Sequence, residues 1–394
     1  MSSGPTRASG LRIVVLGYVV RGPLGGMVWS NLQYLLGLAR LGHDVTFVED
    51  SGDYPACYDP ERGVIDRDPG YGLRFAERVF AGIGFAERWA YHDAHTARWH
   101  GPAAPGILSL CSGADLLLDL CGVNPLGAWW DRIPVRVLVD EDPAFTQIRH
   151  LSDERARERA LAHTAFFSFG ANIGRPGCAV PDDGLAWQPT RQPVVLEEIA
   201  TTPPPERGCF TSVLQWESYP ALEYGGHRYG MKSESFGPYL GLPAAVGPVF
   251  ELAVGGAKTP HGLLRACGWK LRDAVSITRD PSSYQRYLQS SRAEFGVAKH
   301  GYVASWSGWF SERTLAYLAS GRPAVVQDAG FSEWLPTGKG VLAFRTPEQA
   351  CAGVAEILRD TASHARAARE LVSEYFASGK VLTALLEAAF AGRA

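Results

Sequence analysis

The 394-residue sequence predicts an α/β protein of two domains, each a parallel sheet with helices over it. Three observations carry that expectation. Short apolar runs alternate with helix-patterned stretches along the chain, the first run passes through a glycine loop into a helix and on to a second strand, and three consecutive prolines interrupt the alternation near its middle. At this length two cores are expected, and 46% hydrophobic with 20% charged residues is ordinary globular composition.

In chain order, "LRIVVLGYVV" reads as a buried strand and "RGPLGGM" as a loop. "VWSNLQYLLGLARLG" follows as a helix, with Leu32, Leu35, Leu36, Leu38 and Ala39 at helical spacing, and "HDVTFVED" as a second strand. Strand, loop, helix and strand in that order make a βαβ unit, which implies parallel pairing. "ADLLLDLCG", "VRVLVDED" and "TAFFSFG" continue the same sheet. Pro203, Pro204 and Pro205 suit neither a helix nor a central strand, so the boundary is placed there, giving domains 1–205 and 206–394. Beyond it "CFTSVLQW", "VFELAVGG", "AVSITRD", "AEFGVAKHG", "PAVVQD" and "GVLAF" are strand candidates between helical stretches, and helix-rich sequence closes the chain.

A formal net charge of −3 offers no basic surface for nucleic acid, so no nucleic-acid partner is expected. Seven scattered cysteines without a CxxC pair suit a reducing cytoplasm better than a disulfide framework. "MSSGPTRASG" lacks the apolar core of a signal peptide and reads as a soluble start, and no run approaches the ~20 apolar residues of a membrane span. Only six of the 38 basic residues are lysine, and all six lie beyond residue 231, which directs the search for an anion site to the second half.

That search ends at residues 299–328, "KHGYVASWSGWFSERTLAYLASGRPAVVQD". "AEFGVA" reads as a strand and "ERTLAYLA" as a helix stopped by Gly321 and Pro323, so the loop between them brings a helix N-terminus to the carboxyl edge of the sheet. With Ser311 as N-cap, the free backbone N–H groups and the helix dipole favour an anion. Arg313 in the first turn opposes the dipole but forks well onto a phosphate. A ligand is therefore expected to compensate it, the plain alternative being an ion pair with Asp or Glu. Lys299, His300 and Gly301 at the strand end, and Ser307 and Gly308 in the loop, are further candidates for contact with the anion, the small residues permitting close approach.

The stretch "GWFSERTLAYLASGRPAVVQDAGFSEWLPTGKGVLAF" with the following "PEQACAGVAEIL" resembles the donor-binding half of GT-B glycosyltransferases of the bacterial group-1 type, and "LGYVVRGPLGGMVWSNLQYLLGLARLGHDVTFVED" is similar to their acceptor half. The resemblance implies two Rossmann-like domains facing a central cleft, with a nucleoside-diphosphate sugar, such as a UDP-sugar, held on the second domain and closing helices at its end. It implies that Ser311, Arg313 and Thr314 meet the diphosphate, that Gly25 and Gly26 approach it from the first domain, and that Arg228 and Lys232 neutralise the leaving group. Ala316 and Gly308 stand where many retaining relatives carry paired glutamates. Glu312 is the candidate replacement for one of them.

Asp140, Glu141 and Asp142 end a strand of the first half, and Asp140 or Asp142 is the candidate general base on an acceptor hydroxyl. A solvated acidic turn or a helix cap is the plain alternative. His92, His95 and His100 lack the firm spacing of a zinc site, and no DxD-type site stands out, so neither metal nor other cofactor is expected. The expected activity is sugar transfer from a nucleoside-diphosphate donor to a small-molecule acceptor, natural products included. A nucleotide-sugar epimerase of the same fold and a non-catalytic nucleotide-sugar-binding module are the alternatives, whereas "LGYVVRGPLGGM" lacks the GxGxxG of a nicotinamide enzyme.

Overall fold

The computed structural model describes residues 10–391; the opening segment read above as a soluble start lies outside them, apart from Gly10. Two parallel sheets dominate. The first contains β1 (Arg12–Leu16), β2 (Asp44–Asp50), β3 (Trp89–Asp93), β4 (Arg98–His100), β5 (Leu116–Leu120), β6 (Val135–Asp140), β7 (Ala165–Ser168) and β8 (Trp187–Pro189). They lie in the order β8-β7-β6-β5-β1-β2-β3-β4, parallel except for the edge pair β3–β4. The second contains β9 (Phe210–Gln215), β10 (Phe250–Gly255), β11 (Lys270–Asp273), β12 (Ala293–Gly296), β13 (Ala324–Gln327) and β14 (Val341–Phe344), in the order β11-β10-β9-β12-β13-β14. Each sheet reverses its winding beside its first strand, between β1 and β5 and between β9 and β12. Open α/β sheets bind ligands at such a switch point, outside the carboxyl ends of the strands.

The strands read as continuous apolar runs because helices cover both faces. Ile13 to Leu16 and Leu116 to Leu118 are fully buried, as are Phe210, Phe250 and Phe295 in the second core. The helices that bear on the site are α1 (Gly25–Arg40), α2 (Phe145–Ser152), α3 (Glu154–Leu161), α4 (Pro281–Ser290), α5 (His300–Ser305) and α6 (Glu312–Ala319).

Two expectations need correction. "AVSITRD" is not a strand: the edge strand is β11, and Asp273 at its end accepts hydrogen bonds from the Val275 and Ser276 N–H groups, capping a helical turn over Ala274–Ile277. The closing helices also divide. α7 (Pro347–Arg359) and α8 (Thr361–Tyr375) pack on the second sheet, while α9 (Ser378–Ala391) crosses back to the first domain. There Leu382, Leu385 and Leu386 enter the first core, and Leu382 and Ser378 press so closely on Gly37 of α1 that any β-carbon at that position would clash. The two crossing segments touch, since Val194 N–H donates to the Phe376 carbonyl and Ser378 N–H donates to the Val194 carbonyl. Among the described residues no helix is long and apolar enough to cross a membrane.

Candidate active site

The carboxyl edges of the two sheets face each other. On the first, the loop after β1 wraps round the buried carboxylate of Glu49, which accepts from the N–H groups of Val19, Val20 and Arg21 at 2.7–2.9 Å and from Arg21 Nε at 3.1 Å. This carboxylate at the end of β2 satisfies donors that a loop of that length would otherwise leave unpaired. On the second, Ser311 caps α6 as expected, its Oγ accepting from Arg313 N–H at 3.2 Å.

Between the edges lies a charged cluster. Lys232, Lys299 and Arg313 converge with Glu312, and Glu141 and Asp142 face them from the first domain. Lys232 has no hydrogen-bond or ion-pair partner among the described residues. Burial, then the charges of Arg313 and Lys299, push its ammonium down to about 7. Glu141 is shifted the opposite way, as burial and then the charge of Glu312 push its carboxyl up to about 8. One of its oxygens accepts from the Cys121 thiol at 2.8 Å, while the other, Oε1, is buried without a partner. Tyr34 of α1 stands near Glu141, its hydroxyl likewise buried and unpaired.

Asp142 is the hub of a bond between the domains. Lys299 Nζ donates to its Oδ1 at 2.8 Å, the Tyr302 hydroxyl donates to the same oxygen at 2.5 Å, and the Tyr219 hydroxyl donates to Oδ2. Burial pushes the Asp142 carboxyl up, but Lys299 and Arg149 outweigh it, so it titrates below the usual carboxylate range. Such a carboxylate is a weak base with its acceptor oxygens already taken. Asp142→Asn is therefore expected to cost about 1–3 kcal/mol of stability, read from urea unfolding midpoints, with turnover kept within about tenfold; the loss of 10²-fold or more that a general base implies would restore Asp142 to that role.

Several expected contacts are occupied by protein. Asp140 accepts from the Asp142 N–H, the Thr146 and Ser168 hydroxyls and the Gln147 amide at 2.6–3.0 Å, so its acceptor positions are taken in organising the loop after β6. Arg313, expected to be compensated by a ligand, is paired at 2.6 Å with the fully buried Glu294 and donates to the Val213 carbonyl at 3.1 Å. Its third guanidinium nitrogen, Nη2, makes no hydrogen bond among the described residues. Arg228 lies on an exposed hairpin, paired with Glu223 and Glu234. His300 accepts from the Gly230 N–H.

The small residues serve the domain interface instead. Gly25 N–H donates to the Thr278 carbonyl, and a β-carbon there would fall 2.2 Å from the Asp280 carbonyl oxygen; Gly26 packs on Tyr284 of α4. Gly301 lies under the Phe145 ring. Gly308, at φ +79°, leaves room only for Asn172, which reaches across to the Trp306 and Gly330 carbonyls. Ser307 is fully buried, and its carbonyl accepts from Asn172 N–H. Thr314 is buried beside Gln327 in a small recess at the mouth of α6. Lys232, Lys299, Glu312 and Arg313 thus remain at the cleft from the expected set, with Asp142 bonded to Lys299 and Ser311 capping α6. Glu141, Cys121 and Tyr34 join them unannounced, although Glu141 was within the acidic trio.

Neither a family model nor a curated relative matches the chain. Solved structures do. One is an alpha-glucosyltransferase in complex with UDP and a 13-mer DNA containing a central A:G mismatch, with TM-score 0.59 and 13% identity over 96% of this chain and 100% of that one. Another is AviGT4, a glycosyltransferase involved in avilamycin A biosynthesis, at 0.52 and 14% over 96% and 97%. A third is HepE of Anabaena in complex with UDP and glucose, at 0.54 and 12% over 96% and 99%. The chain has the GT-B fold. The charged cluster lies between the carboxyl edges of the two sheets, with Lys232 and Lys299 following the strands that flank the second sheet's switch point.

Proposed function

We propose that this GT-B protein is a glycosyltransferase that moves a sugar from a nucleoside-diphosphate donor, UDP-sugars first among them, to a hydroxyl of a small-molecule acceptor. The observation that carries the reading is the unpaired Lys232 ammonium, crowded by Arg313 and Lys299 at the mouth of α6. Lys232 has no anion of its own, and together with the free nitrogen of Arg313 and the N-terminus of α6 it defines a place for an incoming anion. A diphosphate between two GT-B domains fits it, and AviGT4 and HepE add support as glycosyltransferase and UDP-bound relatives in fold.

In this reading the acceptor oxygen bonds to the anomeric carbon as the bond from that carbon to the diphosphate oxygen breaks. The acceptor proton passes to Glu141 Oε1, and the nucleoside diphosphate leaves with its charge met by Lys232, by Lys299 and by the free nitrogen of Arg313. Fixed cations in a shielded cleft stabilise that developing charge more than they stabilise the bound substrate. A base near the working pH suits the proton transfer. This reading assigns Glu312, which lies near Lys232 and Glu141, to the donor sugar hydroxyls. Because the cations are side chains, turnover is expected to stay within twofold after exhaustive EDTA treatment, and a loss restored by Mg²⁺ or Mn²⁺ would assign that charge to a metal instead. The seven free cysteines suit a reducing compartment such as the cytoplasm.

The test is a thermal-shift panel of nucleoside diphosphates followed by product analysis with the best-bound nucleotide-sugar. Ligand at 100 times its Kd stabilises the native state by about 2.7 kcal/mol, an easily read shift. Glycosylated acceptor supports the proposal. A free isomerised nucleotide-sugar would mark an epimerase, and a bound but unchanged donor a binding module.

A further inference from the structure

Two carboxylates that follow each other in the loop after β6 are held in opposite ways. Asp142 is bonded by the Lys299 ammonium and by the Tyr219 and Tyr302 hydroxyls, and it titrates below the usual range. Glu141 has one side-chain hydrogen bond among the described residues, from the Cys121 thiol to Oε2 at 2.8 Å, while Oε1 is buried and unpaired. A thiol is a weak, neutral donor. It fixes a carboxyl in place without suppressing its basicity as an ammonium does.

Cys121 is an unusual residue for its position. It follows β5 at φ +68°, in the left-handed region, directly before Gly122 at φ +64°. A side chain there carries a backbone cost that glycine avoids, and such outliers gather at functional sites. Packing does not account for it, since Cys121 is exposed on the wall of a cavity of about 230 Å³ at the carboxyl edges of β5 and β6. Its N–H donates to the Val139 carbonyl at 3.0 Å, which sets it beside the end of β6 and brings the thiol to Glu141, two residues further on.

Building on the transferase reading, we infer that Cys121 is a positioning residue for the proton transfer: its thiol pins Glu141 Oε2, so that Oε1 alone is left to take the acceptor proton. The surroundings of the carboxyl fit this role. Glu312 from α6 and Asp140 and Asp142 from the same loop oppose its ionisation, the Tyr34 hydroxyl approaches from α1, and the cations Lys232, Lys299 and Arg313 lie across the cleft. The thiol is the group bonded to the carboxyl that favours the ionised form.

The experiment compares Cys121→Ala and Cys121→Ser with the unmodified full chain. Removing the donor is expected to move the rising limb of the kcat–pH profile upward by about half to one pH unit, the scale of one hydrogen bond. Serine, a stronger donor, should return the limb to its original position or below it, with UDP affinity within twofold in both variants. A limb that stays in place in Cys121→Ala, whatever happens to kcat, or that moves alike in both variants, overturns the inference and leaves the thiol a packing role. The same shift has a readout that needs no substrate. In each background the Tm gained by Glu141→Gln grows with pH and levels off where the folded Glu141 ionises; that plateau should come at higher pH in Cys121→Ala and return in Cys121→Ser. If no donor and acceptor yield turnover, the transferase reading falls by itself, and the plateau still decides whether the thiol governs Glu141.

Discussion

Glu141→Gln is expected to lower kcat by about 10²- to 10⁴-fold while changing UDP affinity less than twofold. The carboxyl is shifted to about 8 by burial and by Glu312, so kcat of the unmodified protein should rise as pH increases toward 8, and this limb should vanish in the variant. Stability should move the other way. An acid whose folded value is raised from 4.5 holds its proton more tightly in the native state. The native state is therefore progressively disfavoured as pH rises from about 4.5 to about 8, where the unfolded chain ionises freely and the folded one does not. Glutamine removes that penalty, so the variant should match the unmodified protein's Tm near pH 4.5 and exceed it at pH 8. A variant both less active and less stable at pH 8 would mark Glu141 as a structural group.

Lys232→Met should reduce kcat by about 10²- to 10³-fold, the scale of losing one preorganised charge at a developing anion, and weaken UDP binding about tenfold, within the range of a charge-assisted hydrogen bond. Its proton linkage is the sharper signature. A lysine with its folded value lowered from 10.5 to about 7 is largely neutral at pH 8, and an arriving diphosphate restores its charge. UDP binding at pH 8 should then take up close to one proton, measured by calorimetry in buffers of different ionisation enthalpy, and the variant should take up none. The stability sign follows as well. The native state loses ground as pH falls from 10.5 to about 7, so the variant should be the more stable protein at pH 7 and lose this advantage above pH 10.5. Proton uptake that persists in the variant would move the anion's partner elsewhere.

Both sheets were legible because apolar runs and helical spacing report burial directly, as β1 and α1 illustrate. The cap on α6 was legible because Ser311 and Gly321 are local signals. Long-range pairing was not. Nothing in the local sequence ties Arg313 to Glu294, nineteen residues away on β12, or Lys299 to Asp142 in the other domain. The loop glycines were read as room for a ligand, although the same absence of a β-carbon admits protein, as Asp280 against Gly25 and Asn172 against Gly308 show. Glu141 was obscured by its neighbours. Successive side chains leaving a strand point to opposite sides, so where Asp140 turns inward to four donors, Glu141 faces the Cys121 thiol.

The return of α9 to the first domain means that neither half is a self-sufficient folding unit: a fragment ended at residue 205 would expose the groove on α1 that Leu382 and Leu385 fill. It also constrains movement. With the outgoing chain at Val194 laced to the incoming chain at Phe376 and Ser378, the two crossings form one spine that any relative movement of the halves has to bend or break.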